Sequence, residues 1–543
     1  MRNETSPLLS ATSSHDENEV ISYVKSRRQS IQSMENNKIP DEQLLHSPRH
    51  LPSLYPVTSN NSIFHYPISE ILSNHELELN EEEPKTSIYN ESKILVLNSI
   101  PLIITFFLQY SLNVTSIISV GKLGSKQLAA ISLSTMTANI SGLAIIQGIS
   151  TCLDTLCAQS YGKKDFNSVG VHFLRCNYFI MLLFIPIWLF WVFGVKDLLI
   201  LIIGNDEKEI CELAGDYLKV LSFGLPGFIL FENGKHFLQA QGIFHASTYI
   251  LFISLPLNIA MNYVLVWTKF GFGFIGAPLA IVLTNWLMFI LLYCYIFFIN
   301  GYQCWPKQNL FNKIYFQNWT RMINLAIPGV VMVEAEWLAF EIITFEAAKF
   351  GEIVLAAQSI ISTILVLFYQ VSFALGITAS IRTALLIGGV YKESAKKATF
   401  AAIYTSLVFG CINCFMIYKF RYQLASIFSS DKKVIELAST VLIIGAVYQI
   451  NDLLTCSLGG VLRGQARQSI SGWLNIIGYY FIALPIAYYL AFIRNWQLVG
   501  LWTSLIIALS FVSFTQLYFV LRSNWDEIID ECINEAITEE EHN

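Results

Sequence analysis

Pro101-Leu-Ile-Ile-Thr-Phe-Phe-Leu-Gln109 returns 227 positions later as Pro328-Gly-Val-Val-Met-Val-Glu-Ala-Glu336. The same offset joins Gly124 to Gly351, Leu128-Ala129-Ala130 to Leu355-Ala356-Ala357, and Gly162 to Gly389. Self-similarity at a fixed long offset marks a duplicated structural unit. One difference inside it is chemical. Gln109 in the first copy becomes Glu336 in the second, so a neutral amide is replaced by a group that gains and loses a proton. Repeats of this kind are common in transporters, whose sites lie between or inside them.

Both stretches sit in a chain of 543 residues that is 54% hydrophobic and only 14% charged, with a mean hydropathy of +0.50. That excludes an ordinary soluble domain and predicts a membrane protein. Apolar stretches long enough to cross a bilayer begin near residues 95, 127, 173, 211, 244, 274, 322, 353, 397, 435, 469 and 498. The fold class predicted is therefore an all-α integral membrane protein of twelve transmembrane helices in two pseudo-symmetric six-helix lobes. Residues 93–305 form the first lobe and 306–522 the second. An even number of spans per copy makes both lobes enter the membrane from the same side, which relates them by an axis along the membrane normal. The basic residues of the connecting segments and of the amino-terminal tail, including Arg27-Arg28, favour cytosolic termini.

Residues 1–92 are rich in Ser, Asn, Glu and Pro without a sustained apolar period, and are predicted to be a disordered cytosolic tail. No cleavable signal peptide is read in it. Glu4-Thr5-Ser6-Pro7-Leu8-Leu9 has the form of an acidic dileucine sorting signal, with Glu4, Leu8 and Leu9 as the residues an adaptor complex would read. That motif favours the vacuolar membrane, with the plasma membrane as the alternative. Arg27-Arg28-Gln29-Ser30 makes Ser30 a candidate phosphosite. Residues 523–543 form an acidic cytosolic tail with a weak helical pattern, expected to cap the last span. The net charge of −6 comes partly from these ends and gives no nucleic-acid signal. Cys411-Ile-Asn-Cys414 has the spacing of a metal or redox pair but no second pair near it, so it reads as ordinary packing and no metal site is predicted.

The seventh span contains Glu334, Glu336, Glu341 and Glu346, more carboxylates than a lipid-facing helix tolerates. At 100° per residue they do not share one face, so some of them face other helices or water. The tenth span contributes another isolated acid, Asp452, beside Asn451. If the second copy is a six-helix bundle, its first and fourth spans both line its interior, and Glu336 and Asp452 share a space. Two carboxylates in a low-dielectric space repel, so such a pair holds one proton between them and exchanges it. Arg463, Arg467, Arg382, Lys392, Lys396 and Lys397 lie near predicted turns and read as topology anchors that face lipid headgroups. Glu232, Lys235 and His236 read as charges near the end of the fourth span. No GxxxxGK[ST] loop is present, and no nucleophile, base and orienting group stand together, so neither ATP hydrolysis nor enzyme catalysis is expected.

Several motifs resemble those of the eukaryotic multidrug and toxic compound extrusion (MATE) family. They are Glu336-Trp337-Leu338-Ala339-Phe340-Glu341, Leu355-Ala356-Ala357-Gln358-Ser359, Gly459-Gly460-Val461-Leu462-Arg463-Gly464 and Asn475-Ile-Ile-Gly478-Tyr479-Tyr480 in the second copy. In the first they are Leu153-Asp154-Thr155-Leu156-Cys157-Ala158-Gln159-Ser160-Tyr161-Gly162 and Phe237-Leu238-Gln239-Ala240-Gln241-Gly242. The resemblance covers everything but the tails. It implies alternating access between two lobes and proton-coupled export of organic solutes, cationic or amphipathic, with protons as the coupling ion and no other cofactor. It implies cation and proton binding at Glu336, Glu341 and Asp452. Gln109, Trp337, Gln358, Tyr369 and Asn451 are the candidates for the solute cavity. The partners expected are a small organic molecule, membrane lipids and the sorting adaptor, and the protein is expected to be a monomer. The alternatives are a lipid or lipid-linked sugar flippase of the same superfamily and sodium-coupled exchange. The chain departs from the family pattern at Leu338, where a second Trp is frequent, at Thr363, and in the additional Glu334.

Overall fold

The computed structural model describes residue 83 and residues 85–204, 207–268 and 271–542, with side chains given as far as 539. Every apolar stretch read from the sequence is a helix. They are α1 (Ile88–Gly121), α2 (Ser125–Gly162), α3 (Phe166–Ile203), α4 (Lys208–Ala240), α5 (Ala246–Trp267), α6 (Gly273–Phe298), α7 (Thr320–Ala348), α8 (Glu352–Gly388), α9 (Lys392–Phe428), α10 (Lys432–Gly464), α11 (Gln468–Ile493) and α12 (Gln497–Leu521). Eleven of them, among the described residues, are long and apolar enough to cross a membrane. The exception is α7, which matches its neighbours in length, with 29 residues, but holds the four glutamates. Its place in the bundle, between α6 and α8, is that of the seventh span.

The repeat is visible in the turns. Gly124 and Gly351 precede α2 and α8 at φ of 155° and 101°, in the region that disfavours a side chain. Pro101 and Pro328 lie inside α1 and α7, where each removes one intrahelical hydrogen bond. Near the second, the Gln468 side chain donates to the Leu325 carbonyl. Gly162 and Gly389 meet one another: a Cβ on Gly162 would fall 2.1 Å from the Leu385 carbonyl oxygen and 3.0 Å from the Gly389 nitrogen. Contact between symmetry-equivalent residues places the pseudo-two-fold axis between them, at the end of the bundle where α1 begins and α12 ends.

Two boundaries differ from the sequence reading. Helix α1 begins at Ile88, not beyond residue 92, because Ser87 caps it by accepting from the Asn90 amide at 3.2 Å. The linker after residue 305 packs on the first lobe instead of the second: Arg175 donates to the Ile314 carbonyl at 3.1 Å, Tyr178 to the Leu310 carbonyl at 2.6 Å, and Tyr315 is fully buried. The second lobe thus starts near Thr320. The acidic carboxy-terminal segment is a further helix, α13 (Trp525–His542). Its Trp525, Ile528, Ile529 and Cys532 bury against Leu386, Ile387, Ala395 and Ala398 of α8 and α9. The sorting residues Glu4, Leu8 and Leu9 and the candidate phosphosite Ser30 lie outside the described residues.

Candidate functional site

A cavity of about 470 Å³ lies between the lobes. It occupies the half of the bundle in which α1 meets α2 and α7 meets α8. Gln109 and Gln147 line it from the first lobe, and Glu336, Trp337, Glu341 and Tyr369 from the second. None of the described residues lining it is Lys, Arg or His. Rings of Phe106, Phe373 and Tyr369 form a continuous aromatic wall across the two lobes, with centroids 5.0 Å and 5.8 Å apart.

One turn of α8 serves both acids of the second lobe. Tyr369 and Ser372, three residues apart, lie on the same helix face. The Tyr369 hydroxyl donates to Glu336 of α7 at 3.4 Å, and the Ser372 hydroxyl donates to Asp452 of α10 at 2.7 Å. Asp452 is 1% exposed and sits behind the cavity wall, whereas Glu336 is part of that wall. The sequence reading put Glu336 and Asp452 in one cavity, whereas Asp452 lies off its lining; it did not find Ser372, whose only signal was the i, i+3 spacing from Tyr369.

The first lobe is built differently at the equivalent place. Gln109 donates to Glu232 of α4 at 2.8 Å, and Glu232 pairs with Lys235 one turn along the same helix. Glu232 and Lys235 are 1% and 3% exposed, so this is a buried ion pair, not the charged boundary that the sequence suggested. The Lys235 ammonium lies over the Phe106 ring at 5.2 Å, where the aromatic face favours a cation.

Other candidates fall elsewhere. Gln358 is fully buried outside the cavity lining, donating to Thr344 and Ser362 at 3.2 Å and 2.9 Å and accepting from the Trp502 indole at 2.8 Å. It is a hydrogen-bonding hub of the lobe core. Asn451 also lies off the lining and accepts from Ser513 at 3.3 Å. Glu346 pairs with Lys349 at 2.8 Å near the end of α7. Two of the arginines read as headgroup anchors join the lobes instead. Arg382 takes Glu91 through two bonds of 2.7 Å, and Arg463, 6% exposed, reaches Asp154 at 3.2 Å.

The MatE family model matches the chain twice, over residues 101–264 and 328–489. The two matches begin at the two prolines that open the repeat. The chain belongs to the MatE family. A Saccharomyces cerevisiae protein named an uncharacterized transporter is 41% identical over 81% of this chain, which spans 62% of that relative's length. A Schizosaccharomyces pombe protein also named an uncharacterized transporter is 38% identical over 84% of this chain and 83% of its own length. Mouse multidrug and toxin extrusion protein 2 is 29% identical over 81% and 76% of the two chains. Among solved structures, that of the eukaryotic MATE transporter AtDTX14 superposes with a TM-score of 0.77 at 25% identity, covering 82% of this chain and 99% of the other. As a MatE protein this chain is a multi-pass membrane transporter, with the two-lobed architecture that its repeat implied.

Proposed function

We propose that this MatE transporter exchanges protons for cationic or amphipathic organic solutes, moving the solutes out of the cytosol. The observation that supports it is the charge of the cavity: Glu336 and Glu341 face it, and no basic side chain among the described lining residues does. An acidic, aromatic-walled cavity attracts an organic cation and repels a phosphate, which counts against the flippase reading. With the pair ionised and the cavity open to the cytosol, a cationic solute binds. With the cavity open to an acidic compartment, protons displace it and the empty carrier returns. The arrangement described is sealed at the end bearing both ends of the bundle, which with cytosolic termini is the outward-facing state. Each pH unit across the membrane supplies about 1.4 kcal/mol per proton. The destination we favour is the vacuole lumen, on the strength of Glu4, Leu8 and Leu9, and a Leu8→Ala/Leu9→Ala variant that stays at the vacuole would refute that sorting role.

The test is uptake of a fluorescent organic cation into sealed vesicles holding the purified protein. An imposed pH gradient is expected to drive uptake by the wild type and not by Glu336→Gln. A sodium gradient that drives uptake as well without any pH gradient would replace the proton with sodium. Equal uptake by both proteins would remove Glu336 from the cycle.

A further inference from the structure

Asp154 is fully buried in α2, about two turns beyond Gln147 of the cavity lining. It has two partners: the Arg463 guanidinium of α10 at 3.2 Å, from the opposite lobe, and His236 Nδ1 of α4 at 2.6 Å, from its own. The backbone around Arg463 is docked on the same stretch of α2. Thr155 donates to the Arg463 carbonyl at 2.7 Å and Gln159 to the Gly464 carbonyl at 3.4 Å, so the last carbonyls of α10 are bonded across the lobe interface. Arg321 of α7 completes the contact by donating to the Gln159 side chain at 2.9 Å.

We infer that Asp154 and Arg463 are the inner gate of the sealed face, the pair that holds the lobes together there and parts when the cavity opens to that side. This rests on the alternating-access reading above. The asymmetry of the partners gives the pair its switching character. When the lobes separate, Asp154 retains His236 from its own lobe and Arg463 is the group that leaves, into water that enters the opening. Burial away from water makes the pair costly to break singly and specific to the closed arrangement. The neighbouring Glu91–Arg382 bridge lies at a wetter rim, with the Arg382 side chain 24% exposed.

The gate is also tied to the proton site. Helix α10 runs unbroken from Lys432 to Gly464 and contains both Asp452 and Arg463. Eleven residues are three turns to within about 20°, so the two side chains share a face about 16 Å apart. Arg463 is thus a positioning residue: a shift of α10 at Asp452 moves the guanidinium at the gate as one rigid element.

The experiment measures conformation, not transport. Spin labels on cysteines at Lys164 and Glu393 report the sealed face, and a second pair at Ser125 and Glu352 the open one, in a background with Cys294, Cys411, Cys414 and Cys456 replaced by Ser. Arg463→Gln and Asp154→Asn are each expected to shift the population at least about tenfold towards separation at the first pair and approach at the second. Arg463→Lys, which keeps the charge, is expected to stay nearer the wild type. The double variant leaves no charge unpaired, so its shift is expected to be smaller than the sum of the single shifts. It also decides the matter if a single variant does not fold: wild-type distances in it would overturn the gate. So would a loss of compactness at the first pair without approach at the second, which is mere loosening. Failure of the transport reading shows separately, as wild-type distances that ignore pH and solute while the Arg463→Gln shift still judges the gate.

Discussion

The two lobes solve the burial of a carboxylate in opposite ways. In the first, Glu232 has Lys235 one turn away and the Gln109 amide against it, so the site is neutral overall and its acceptors are filled. In the second, Glu336 and Asp452 receive hydroxyls, from Tyr369 and Ser372, and among the described residues neither has a cation paired to it. A balanced pair is a structural element, because removing a proton from it or adding one creates an unpaired charge. An unbalanced pair is a reservoir for a proton or a cation. The substitution of Glu336 for Gln109 across the repeat therefore goes with the loss of the counter-charge: α4 and α10 correspond at an offset of 224, which puts Gly459 where the first lobe has Lys235 and Cys456 where it has Glu232.

The strongest test of this contrast makes the second lobe resemble the first. Glu336→Gln and Asp452→Asn are each expected to abolish the gradient-driven part of solute uptake without lowering thermal stability in detergent, since each removes a charge that no paired cation balances. Strong destabilisation in both would show that the acids are structural. Next in size is the reverse experiment. Lys235→Met leaves Glu232 buried with an amide alone and is expected to cost about 3–5 kcal/mol of stability. Adding Glu232→Gln should recover most of that in thermal unfolding. If the single change were harmless, the first lobe's pair would not be the balanced element described here. Smaller again is Ser372→Ala, which takes the single short hydrogen bond from Asp452 and is expected to cost about 1–3 kcal/mol. Tyr369→Phe, removing a longer bond, should cost less in the same measurement.

The residues that could be read in advance are those whose signal is periodic or duplicated. The helices and the Gln109–Glu336 difference follow from an offset and from apolar length, and the placing of Glu336 and Asp452 against the same helix, α8, follows from the topology of one bundle. What escaped depends on which neighbour a polar residue faces. Gln358 and Asn451 are polar in apolar spans, which says that they avoid lipid but not whether they meet a cavity or a core. Gln358 is held by Trp502, 144 positions away, through packing no local pattern encodes. Arg463 and Arg382 stand near helix ends, where a cation ordinarily meets headgroups. Only the approach of the lobes turns them inward. Asp154 was visible within a motif, yet its role depends on Arg463, 309 positions later.

A fourth acid extends the comparison beyond the membrane, and its effect is the smallest. Helix α13 joins the lobes on the sealed face. Asp526 pairs with Lys392 at 2.8 Å, the Cys532 carbonyl accepts from Lys163 at 3.1 Å, and Arg321 binds Glu535 at 2.6 Å and Glu539 at 3.6 Å. Partial burial pushes the Glu539 carboxyl up, but His172, Arg321, Arg175 and Lys163 together outweigh it and hold the group below the usual glutamate range. A carboxyl whose folded value is depressed stabilises the docked helix above its unfolded value, and that contribution is lost as pH falls through the folded one. Docking of α13 should therefore be indifferent to pH near neutrality and weaken only below the ordinary glutamate range. Trp525 is 8% exposed against α8 and α9, so its fluorescence reports docking. Glu539→Gln should flatten the acid limb of that titration and change stability by no more than about 1 kcal/mol, since solvent screens pairs of this kind. An acid limb of equal size in the variant would remove Glu539 as its source. Loss of docking at neutral pH would mean that Glu539, like Glu232, is a structural charge whose removal the fold does not tolerate.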